Sequence, residues 1–447
     1  MALTGLEIYK LLPQTNCKEC GFPTCLAFAM KLAAKQAELK SCPYVTEESK
    51  VKLEAASAPP IRLVTLKAEG GAVEVGNETV LYRHEKTFVH LPGLFWRLRD
   101  SDGPQALAEK VAPAEAFKVD YVGISLGLDG FAVEAASGDP AAFRAAVEAV
   151  RGASKKPLIL IAPTPELARA GAEAAAGTRP LLYAADAGNW EAMGAVAREA
   201  GLPLAVRAPT LEALAEITQS LVKAGVEDLV LDPEVQGFRD SLEIFTALRR
   251  LALKKGFRAL GFPTITFPGR AGEENETLLA AEHIAKYAGL IVLEQFDPAA
   301  LYPLLVLRQN LYTDPQKPIQ VQPGLYEINA PKPDSPVMVT TNFSITYFAV
   351  SNEVEGSGWP AWLVVTDAEG MSVLTAWAAG KFDAERITKA VKISGVKDKI
   401  GHQRLIIPGQ VAVLSGELEE ELQGWQIMVG PREAVDIAGY LKAMWNN

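Results

Sequence analysis

Four cysteines stand near the start of this chain, and no cysteine follows them. Cys17, Cys20 and Cys25 share one short stretch, "NCKECGFPTC", and Cys42 follows in "SCPY", which gives the spacing C-x2-C-x4-C-x16-C. Thiolates bind soft metals and iron–sulfur clusters. A cysteine group in a chain with no sign of secretion is more often a metal or catalytic site than a pair of disulfides. The spacing therefore predicts one metal centre with these four ligands.

The pattern favours a [4Fe–4S] cluster over a single zinc ion. A structural zinc site usually has two C-x2-C pairs or a histidine pair, and the first histidine in this chain is His84. Three thiolates on one loop and a fourth farther away suit a cubane, which takes all-cysteine ligation. Gly21 relaxes the loop, and Pro23 precedes a helical pattern whose amino end favours an anionic group near Cys25. Zinc, or a reactive thiol pair at Cys17 and Cys20, remains an alternative.

Bulk properties exclude several classes of protein. The chain has 447 residues, which predicts two or three domains, and its 49% hydrophobic and 22% charged residues are typical of a globular protein. A net charge of −10 argues against a nucleic-acid surface. No stretch has the roughly 20 apolar residues of a membrane span, and the start lacks the pattern of a signal peptide. We expect a cytoplasmic protein that binds neither nucleic acid nor membrane.

The composition changes along the chain and suggests five segments. Residues 1–57 would form the cluster domain, and they end in a helical pattern that Thr46 caps. Residues 58–86 would hold a stiff linker and a β-hairpin, because an alternating pattern there is broken by Gly-Gly and Gly-Asn turns. A Pro-rich connection at 312–336 separates the large region 87–311 from the last domain, 337–447.

The region 87–311 repeats a strand-and-helix unit eight times, which predicts a (β/α)8 TIM barrel. An open parallel sheet is the alternative, and no P-loop or G-x-G-x-x-G follows a strand. Asp186, Asn189 and Asp232 follow predicted strands, where barrel enzymes place their chemistry, but we favour helix capping for them. The eight predicted strands are "TFVHLPG", "DYVGISL", "PLILIAP", "PLLYAAD", "PLAVRAP", "DLVLDP", "ALGFPTITF" and "LIVLEQF".

The last domain, 337–447, repeats the pattern on a smaller scale and reads as a doubly wound, Rossmann-like α/β domain. Strands are predicted in "VMVTT", "WLVVT", "RLII" and "QIMV", and the last three run into turns that carry Gly370, Gly409 and Gly430. Such turns open helices at the carboxyl edge of a parallel sheet, where cofactors bind. Glycines also occur in tight turns without any ligand, and that interpretation stays open.

Taken together, these motifs resemble the large subunits of the corrinoid iron–sulfur proteins of the reductive acetyl-CoA (Wood–Ljungdahl) pathway. The resemblance is carried by "LTGLEIYKLLPQTNCKECGFPTCLAFAMKLA", "SCPY", "VMVTTNFSITYF", "TDAEGMSVLTAWAAGKF", "IIPG" and "VGPREA". It covers the whole chain. It implies a corrinoid-binding C-terminal domain and a [4Fe–4S] cluster on Cys17, Cys20, Cys25 and Cys42.

The resemblance also implies a function and partners. The family carries methyl groups: cobalamin cobalt, as Co(I), accepts a methyl group from methyltetrahydrofolate through a separate methyltransferase and donates it to acetyl-CoA synthase. The cluster reactivates cobalt that has oxidised to Co(II). The implied partners are a small subunit that forms a heterodimer, the methyltransferase, carbon monoxide dehydrogenase/acetyl-CoA synthase, and a reductive activator or ferredoxin.

A corrin ring carries amide arms and needs polar partners, closely approaching backbone and an apolar wall. The cofactor-binding residues that the resemblance implies are Thr340, Thr346, Gly370, Met371, Ser372, Val373, Leu374, Thr375, Gly409, Gly430, Arg432 and Glu433. The D-x-H-x-x-G motif that ligates cobalt in many cobalamin proteins is absent, and His402 has the wrong neighbours for it. The family also lacks that ligand.

Two other functions remain possible from the sequence. One is an iron–sulfur electron carrier or oxidoreductase with a nucleotide in the C-terminal domain, which the missing G-x-G-x-x-G disfavours. The other is a structural subunit whose cluster only stabilises the small first domain. A visible spectrum separates a corrinoid from a flavin, and a cluster that cannot be reduced favours the structural role.

Overall fold

A computed structural model describes residues 5–33, 37, 39–46, 49–50, 53, 59–121, 124–272, 275–314 and 319–445. The chain divides into two compact units, of which the second comprises 118–126 and 313–447 and the first the remainder. Within the described ranges, no helix is both long enough and apolar enough to cross a membrane.

The first unit begins with a small helical region. Helices Gly5–Leu11 and Cys25–Ala33 pack on each other, and a 3-10 turn, Leu39–Ser41, precedes Cys42. Ile8, Leu12 and Phe28 form a buried core with two of the cysteines. The helix predicted at 46–56 lies mostly outside the described residues.

The predicted β-hairpin is confirmed. Strand Val64–Ala68 pairs antiparallel with Gly71–Val75. The side chains of Val64, Leu66 and Val75 are buried in the same core as the barrel strands. The hairpin also pairs with Arg179, just before a barrel strand begins, so it covers the amino-terminal end of the barrel and leaves the carboxyl end open.

Eight parallel strands form the barrel, as predicted. Seven consecutive pairings link them, and a parallel bridge between Leu231 and Thr264 joins the two outer strands of that order. Small and branched side chains such as Ala132, Ile159, Ala205 and Val230 fill its interior. The strands are Gly93–Arg99, Gly130–Glu134, Leu158–Ile161, Leu181–Ala185, Leu204–Arg207, Leu229–Asp232, Ile265–Thr266 and Leu290–Leu293.

A helix follows each barrel strand, and half of these eight helices begin at a side-chain cap. Asp139, Thr164, Thr210 and Asp297 each accept a hydrogen bond from a backbone N–H in the first turn of the helix that follows. The eight helices are Pro104–Ala116, Pro140–Ala153, Pro165–Ala174, Trp190–Ala200, Leu211–Lys223, Phe238–Leu253, Glu276–Ala285 and Pro298–Leu311.

Two of the predicted barrel strands were wrong. The first strand is Gly93–Arg99, which begins at the last residue of "TFVHLPG". Arg97 and Arg99 make its carboxyl half charged, so this segment was not recognised as a buried strand. The segment "DYVGISL" instead forms a separate antiparallel pair, Val119–Tyr121 with Ile124–Leu126. That pair belongs to the second unit, and Tyr121 and Ile124 pack on its core.

The second unit is a doubly wound domain with a five-stranded sheet. Its order is Gly324–Ile328, Ala361–Thr366, Val337–Thr341, Arg404–Ile407 and Gln426–Val429, with only the first strand antiparallel. Apolar clusters cover both faces of the sheet. The helices are Ser344–Ser357, Val373–Ala378, Ala384–Ile393, Ser415–Glu421 and Ile437–Met444.

The Pro-rich connection is more structured than its composition suggested. Strand Gly324–Ile328 lies within the predicted linker 312–336, between Pro323 and Pro331. Prolines just outside a strand are compatible with an edge position, where one side needs no partner. The domain boundaries themselves remain predictions.

Candidate metal centre and cofactor cleft

Residues 5–46, the cysteine module, hold the four thiols around the start of a helix. Cys25 is the first residue of helix Cys25–Ala33, and Thr24 caps the helix by accepting the N–H of Ala27 at 3.0 Å. Asn16 makes two hydrogen bonds with Cys25. The side-chain Oδ1 of Asn16 accepts the backbone N–H of Cys25 at 2.8 Å, and the backbone N–H of Asn16 donates to the Cys25 sulfur at 3.4 Å. Asn16 was not identified from the sequence. Its backbone φ of +49° lies in the left-handed region, which asparagine adopts more readily than most residues.

The four cysteines share one neighbourhood. Cys25 and Cys42 are buried, Cys20 is half-buried and Cys17 is exposed. Burial raises the pKa of the Cys42 thiol, and the nearby Cys20, Cys17 and Cys25 thiols raise this pKa further. Within the described part of the chain, no three His, Cys, Asp or Glu side chains converge closely enough to surround one ion.

A side-chain contact closes the loop around the thiols. The hydroxyl of Tyr44 donates to Glu19 Oε1 at 2.8 Å, which joins the segment after Cys42 to the loop between Cys17 and Cys20. This hydrogen bond and the charge of Glu19 raise the pKa of Tyr44. Cys42, distant in sequence, is thereby held beside the other three thiols.

The second unit contains a cleft at the carboxyl edge of its sheet. Strands Val337–Thr341 and Arg404–Ile407 are neighbours, and the strands that follow them in the chain lie on opposite sides. Such a switch in strand order leaves a crevice between the two diverging connections, and this is where α/β sheets bind ligands. The cleft there encloses about 1080 Å³, including the part open to solvent.

Eight of the twelve predicted cofactor-binding residues line this cleft. They are Thr340, Thr346, Ser372, Val373, Leu374, Gly430, Arg432 and Glu433. Sequence reasoning missed other lining residues, among them Ile345, Gln410, Pro431 and Tyr440. Pro431 lies between two predicted positions. Ile345 and Gln410 closely follow strand ends, whereas Tyr440 lies in the helix Ile437–Met444 that follows the last strand.

The four remaining predicted residues shape the loops around the cleft and do not line it. The N–H of Gly409 donates to Pro431 O at 2.9 Å, so two of the loops touch through their backbones. Gly370 has a φ of +72°, which favours glycine. Thr375 accepts the Ser372 hydroxyl at 3.0 Å, and Met371 packs against the core on one face of the sheet.

Asn342 organises one wall of the cleft and was not predicted. It is buried, and its Oδ1 accepts the N–H groups of Ala368 at 2.9 Å and Gly370 at 3.0 Å. Its Nδ2 donates to Asp367 Oδ1 at 3.3 Å. A polar residue directly after the buried strand Val337–Thr341 was the available signal, but its partners come from another strand's loop.

The character of the cleft fits a large, mostly neutral ligand. The hydroxyl of Thr340 is buried, and no described residue is its hydrogen-bond partner. The rim carries exposed apolar side chains, with Ile345 68% and Leu374 48% exposed. A buried hydroxyl without a partner and an exposed apolar rim are both costly unless a ligand covers them. A corrin ring with amide arms matches this combination.

His402 lies away from the cleft. Its Nδ1 accepts the N–H of Arg404 at 3.2 Å and its Nε2 lies 2.9 Å from Ser335 O, so both ring nitrogens contact the backbone. Its ring packs edge-on against Trp445, 5.0 Å between centroids. Burial lowers the pKa of His402.

At the open end of the barrel, the interpretation of Asn189 and Asp232 as helix caps was wrong. Asn189 precedes helix Trp190–Ala200, but its Oδ1 accepts the N–H of Asp186 at 2.8 Å and makes no cap bond to that helix. Asp232 is fully buried, and its carboxylate accepts hydrogen bonds from Tyr183 Oη at 2.6 Å and from Arg270 at 2.7 and 3.0 Å. Asp186 pairs with Arg207 at 3.0 Å.

Comparison with known proteins gives a consistent result over the whole chain. Residues 63–441 match the family described as CO dehydrogenase/acetyl-CoA synthase delta subunit, and residues 12–44 match one described as a putative Fe-S cluster. A corrinoid/iron-sulfur protein large subunit from Moorella thermoacetica is 46% identical, and the match covers 99% of each chain. An acetyl-CoA decarbonylase/synthase complex subunit gamma from Archaeoglobus fulgidus is 37% identical over 98% of each chain.

Among solved structures, a dihydropteroate synthase from Thermus thermophilus aligns with 56% of this chain and 99% of its own. The TM-score is 0.38 and the sequence identity is 20%.

Proposed function

We propose a function from the premise that this chain belongs to the family of corrinoid/iron–sulfur protein large subunits, together with the gamma subunits of archaeal acetyl-CoA decarbonylase/synthase complexes. The chain is a methyl carrier of the acetyl-CoA pathway. It holds a corrinoid in the cleft of its second unit and an iron–sulfur cluster in its cysteine module.

The cysteine module would hold a [4Fe–4S] cluster through Cys17, Cys20, Cys25 and Cys42. The proposal is supported by the mutual proximity of the four thiols and by the first-turn position of Cys25, where the helix favours a negatively charged group. Asn16 and the Tyr44–Glu19 contact orient the loop. A cluster in this place supplies electrons one at a time to restore oxidised cobalt.

The cleft would hold cobalamin by its edges and by one face. The hydroxyls of Thr340, Thr346 and Ser372 offer hydrogen bonds to amide arms, and Leu374 offers an apolar wall. Gly409 and Gly430 bring two backbone loops close together, so backbone groups line the cleft without intervening side chains. When bound, cobalamin would supply the methyl-transfer chemistry, with methyltetrahydrofolate and a separate methyltransferase on the donor side and acetyl-CoA synthase as the acceptor.

No imidazole of the second unit would bind the cobalt. His402, the one histidine in the sequence of that unit, has both ring nitrogens against backbone groups. A cobalt without a strong lower donor is easier to reduce and is a better leaving group. The lack of a histidine ligand to the cobalt would thus favour methyl transfer.

The proposed partners follow from the same premise. A small subunit would complete a heterodimer, and the carrier would meet the methyltransferase, carbon monoxide dehydrogenase/acetyl-CoA synthase and a reductive activator or ferredoxin. Ile345, the more exposed apolar residue at the cleft rim, is suited to contact such partners.

One observation carries the proposal: a curated corrinoid/iron–sulfur large subunit aligns with 99% of this chain at 46% identity. The test is cobalt, iron and acid-labile sulfide per chain in protein purified without oxygen, together with its visible spectrum. Cobalt with a corrinoid spectrum and iron with sulfide support the proposal. A flavin or nucleotide spectrum without cobalt would instead support an iron–sulfur oxidoreductase, and zinc without sulfide would contradict the cluster.

A further inference from the structure

The open end of the barrel contains a second cavity that the proposed function does not use. It encloses about 840 Å³, including its open part, and lies where the barrel strands end. Its lining is unlike that of the corrinoid cleft because three arginines face it: Arg97, Arg207 and Arg270. The carboxyl ends of barrel strands are the usual place for ligand sites in this fold.

These arginines are held in position by carboxylates. Arg97 makes a two-pronged contact with Glu134, at 2.5 and 2.8 Å, and Arg270 makes one with the buried Asp232. Burial opposes the charge of the Arg270 guanidinium, but the hydrogen bond and charge of Asp232 outweigh it and raise the pKa of Arg270. The guanidiniums therefore stay charged and rigid, and preorganised donors of this kind bind an anion with little loss of freedom.

Most of the carboxylates that pair with these arginines do not line the cavity. Glu134 is the one carboxylate among the described residues that line the cavity, while Asp232 is 0% exposed. Arg207 is 41% exposed and has one ion pair, Nη2 to Asp186 Oδ2 at 3.0 Å. A guanidinium carries more N–H donors than one such contact uses. The cavity thus presents unused donors, chiefly on Arg207.

The balance of charge disfavours a ligand with more than one negative charge. The ion pairs at the barrel end join four arginines to four carboxylates: Arg97, Arg99, Arg207 and Arg270 with Glu134, Glu294, Asp186 and Asp232. A fifth carboxylate, Glu234, also interacts electrostatically with Arg207, so the network has no surplus of positive charge. Each further negative charge on a ligand adds repulsion from these carboxylates, so a dianion such as phosphate is disfavoured more than a monoanion. A planar carboxylate matches the guanidinium fork with a single charge.

Much of the remaining wall is apolar, and Asn189 is a polar exception. Phe267 and Tyr183 pack with ring centroids 4.8 Å apart, and Arg270 lies over the Phe267 ring at 4.5 Å. Ile161 and Pro163 extend this surface. The cavity has room for a flat or aliphatic body attached to the charged group.

We propose that the barrel end binds a small organic monocarboxylate, with its carboxylate on Arg207 and its apolar body against the wall that contains Phe267. The barrel would then be a ligand-binding domain, with a site separate from the corrinoid cleft and formed by residues of the first unit alone.

The test uses full-length protein and titration calorimetry with three probes: benzoate, its uncharged analogue benzamide, and inorganic phosphate. Benzoate should bind, and benzamide and phosphate should bind at least about tenfold more weakly, because the carboxylate's charged hydrogen bonds to a guanidinium are lost or mismatched. Arg207→Gln should weaken benzoate by about tenfold, and Arg207→Lys should weaken it less.

Arg144→Gln is the matched control. Arg144 also makes one exposed ion pair, with Glu173 at 2.5 Å, and lies on the outer helix Pro140–Ala153. This variant should bind benzoate like the wild type, and the thermal unfolding of both variants should show an intact fold. The proposal is overturned if benzoate does not bind, if benzamide or phosphate binds as well as benzoate, or if correctly folded Arg207→Gln protein binds benzoate like the wild type.

Discussion

The cysteine module and the cleft of the second unit prepare for a cofactor in opposite ways. The module brings four thiol side chains together within one short segment, residues 17–42, and buries two of them in its core. The cleft draws on segments spread from Met338 to Tyr440, and most of its lining is small, hydroxylic or apolar. The first arrangement suits a group bonded through its ligands, and the second suits a large molecule held by shape. A group that stays in place and a group that must present its metal to partners need these different supports.

The difference predicts that the module is the more sensitive of the two to a single side chain. Cys20→Ala should reduce iron and acid-labile sulfide to background, because one of the four cluster ligands is lost and the chain has no other cysteine to replace it. Cobalt should remain as in the wild type. Metal analysis after anaerobic purification measures both.

Leu26→Ala is the control for this prediction. Leu26 is 38% exposed and adjacent to Cys25, so its loss alters the same helix and leaves all four thiols. Its iron content should equal that of the wild type. Full iron and sulfide in Cys20→Ala would mean that Cys20 is not a ligand.

The cleft should instead be sensitive to the backbone. In Gly409→Ala, the new methyl group would lie 2.4 Å from Gly430 O and 2.8 Å from the carbonyl carbon of Pro431. Backbone atoms cannot turn aside as a side chain can, so the two loops must separate, at a cost of about 1–3 kcal/mol. We expect cobalamin to bind at least about tenfold more weakly, as measured by equilibrium reconstitution of cobalt-free protein.

Gly416→Ala provides the comparison in the same domain. Gly416 lies in helix Ser415–Glu421, and a methyl group there meets no atom within 4 Å. Its cobalamin affinity should be unchanged, since alanine is compatible with a helix. Equal affinities of the two variants would show that the contact between the loops does not shape the site.

A smaller effect is expected at His402. Because His402 does not line the cleft, His402→Gln should leave the paramagnetic resonance spectrum of Co(II) unchanged, with no loss of nitrogen hyperfine structure. A changed hyperfine pattern would show that the imidazole reaches cobalt and that the proposed lower face is wrong.

His402 should appear instead in the pH dependence of stability. Burial lowers the pKa of folded His402 below the ordinary value of 6.5, so the unfolded chain takes up a proton first as the pH falls. Its contribution to the free energy of unfolding is complete above about pH 6.5 and decreases as the pH falls toward the folded pKa. Urea unfolding at pH 7.5 and 5.5 should show a smaller loss in His402→Gln than in the wild type, and equal losses would contradict this.

The sequence revealed the cysteine module better than the cleft for a physical reason. The four cysteines of the module are close in sequence and their residue type is rare in the chain, so spacing alone identifies the group. The role of Asn342 depends on Ala368 and Gly370, which reach it from the loop of another strand. Likewise, the charge of Arg97 made the first barrel strand hard to recognise. Its ion-pair partners, Glu134 and Glu294, are distant in sequence, so nothing near Arg97 in the chain indicates that its charge is paired at the barrel end.

The central claim is that the two cofactors divide the work: the cleft performs methyl transfer, and the module only restores cobalt that has lost an electron. Transfer of a methyl group to Co(I) moves an electron pair, and its transfer onward returns Co(I), so a complete cycle needs no external electron. The most direct test uses Cys20→Ala protein whose cobalt has been reduced by a chemical reductant that reaches it directly. Its initial rate of methylation should be close to that of wild-type protein reduced in the same way, while its reactivation by a protein electron donor should be lost. If pre-reduced Cys20→Ala protein retains its corrinoid and its fold but is not methylated, the cluster takes part in methyl transfer and this division is contradicted.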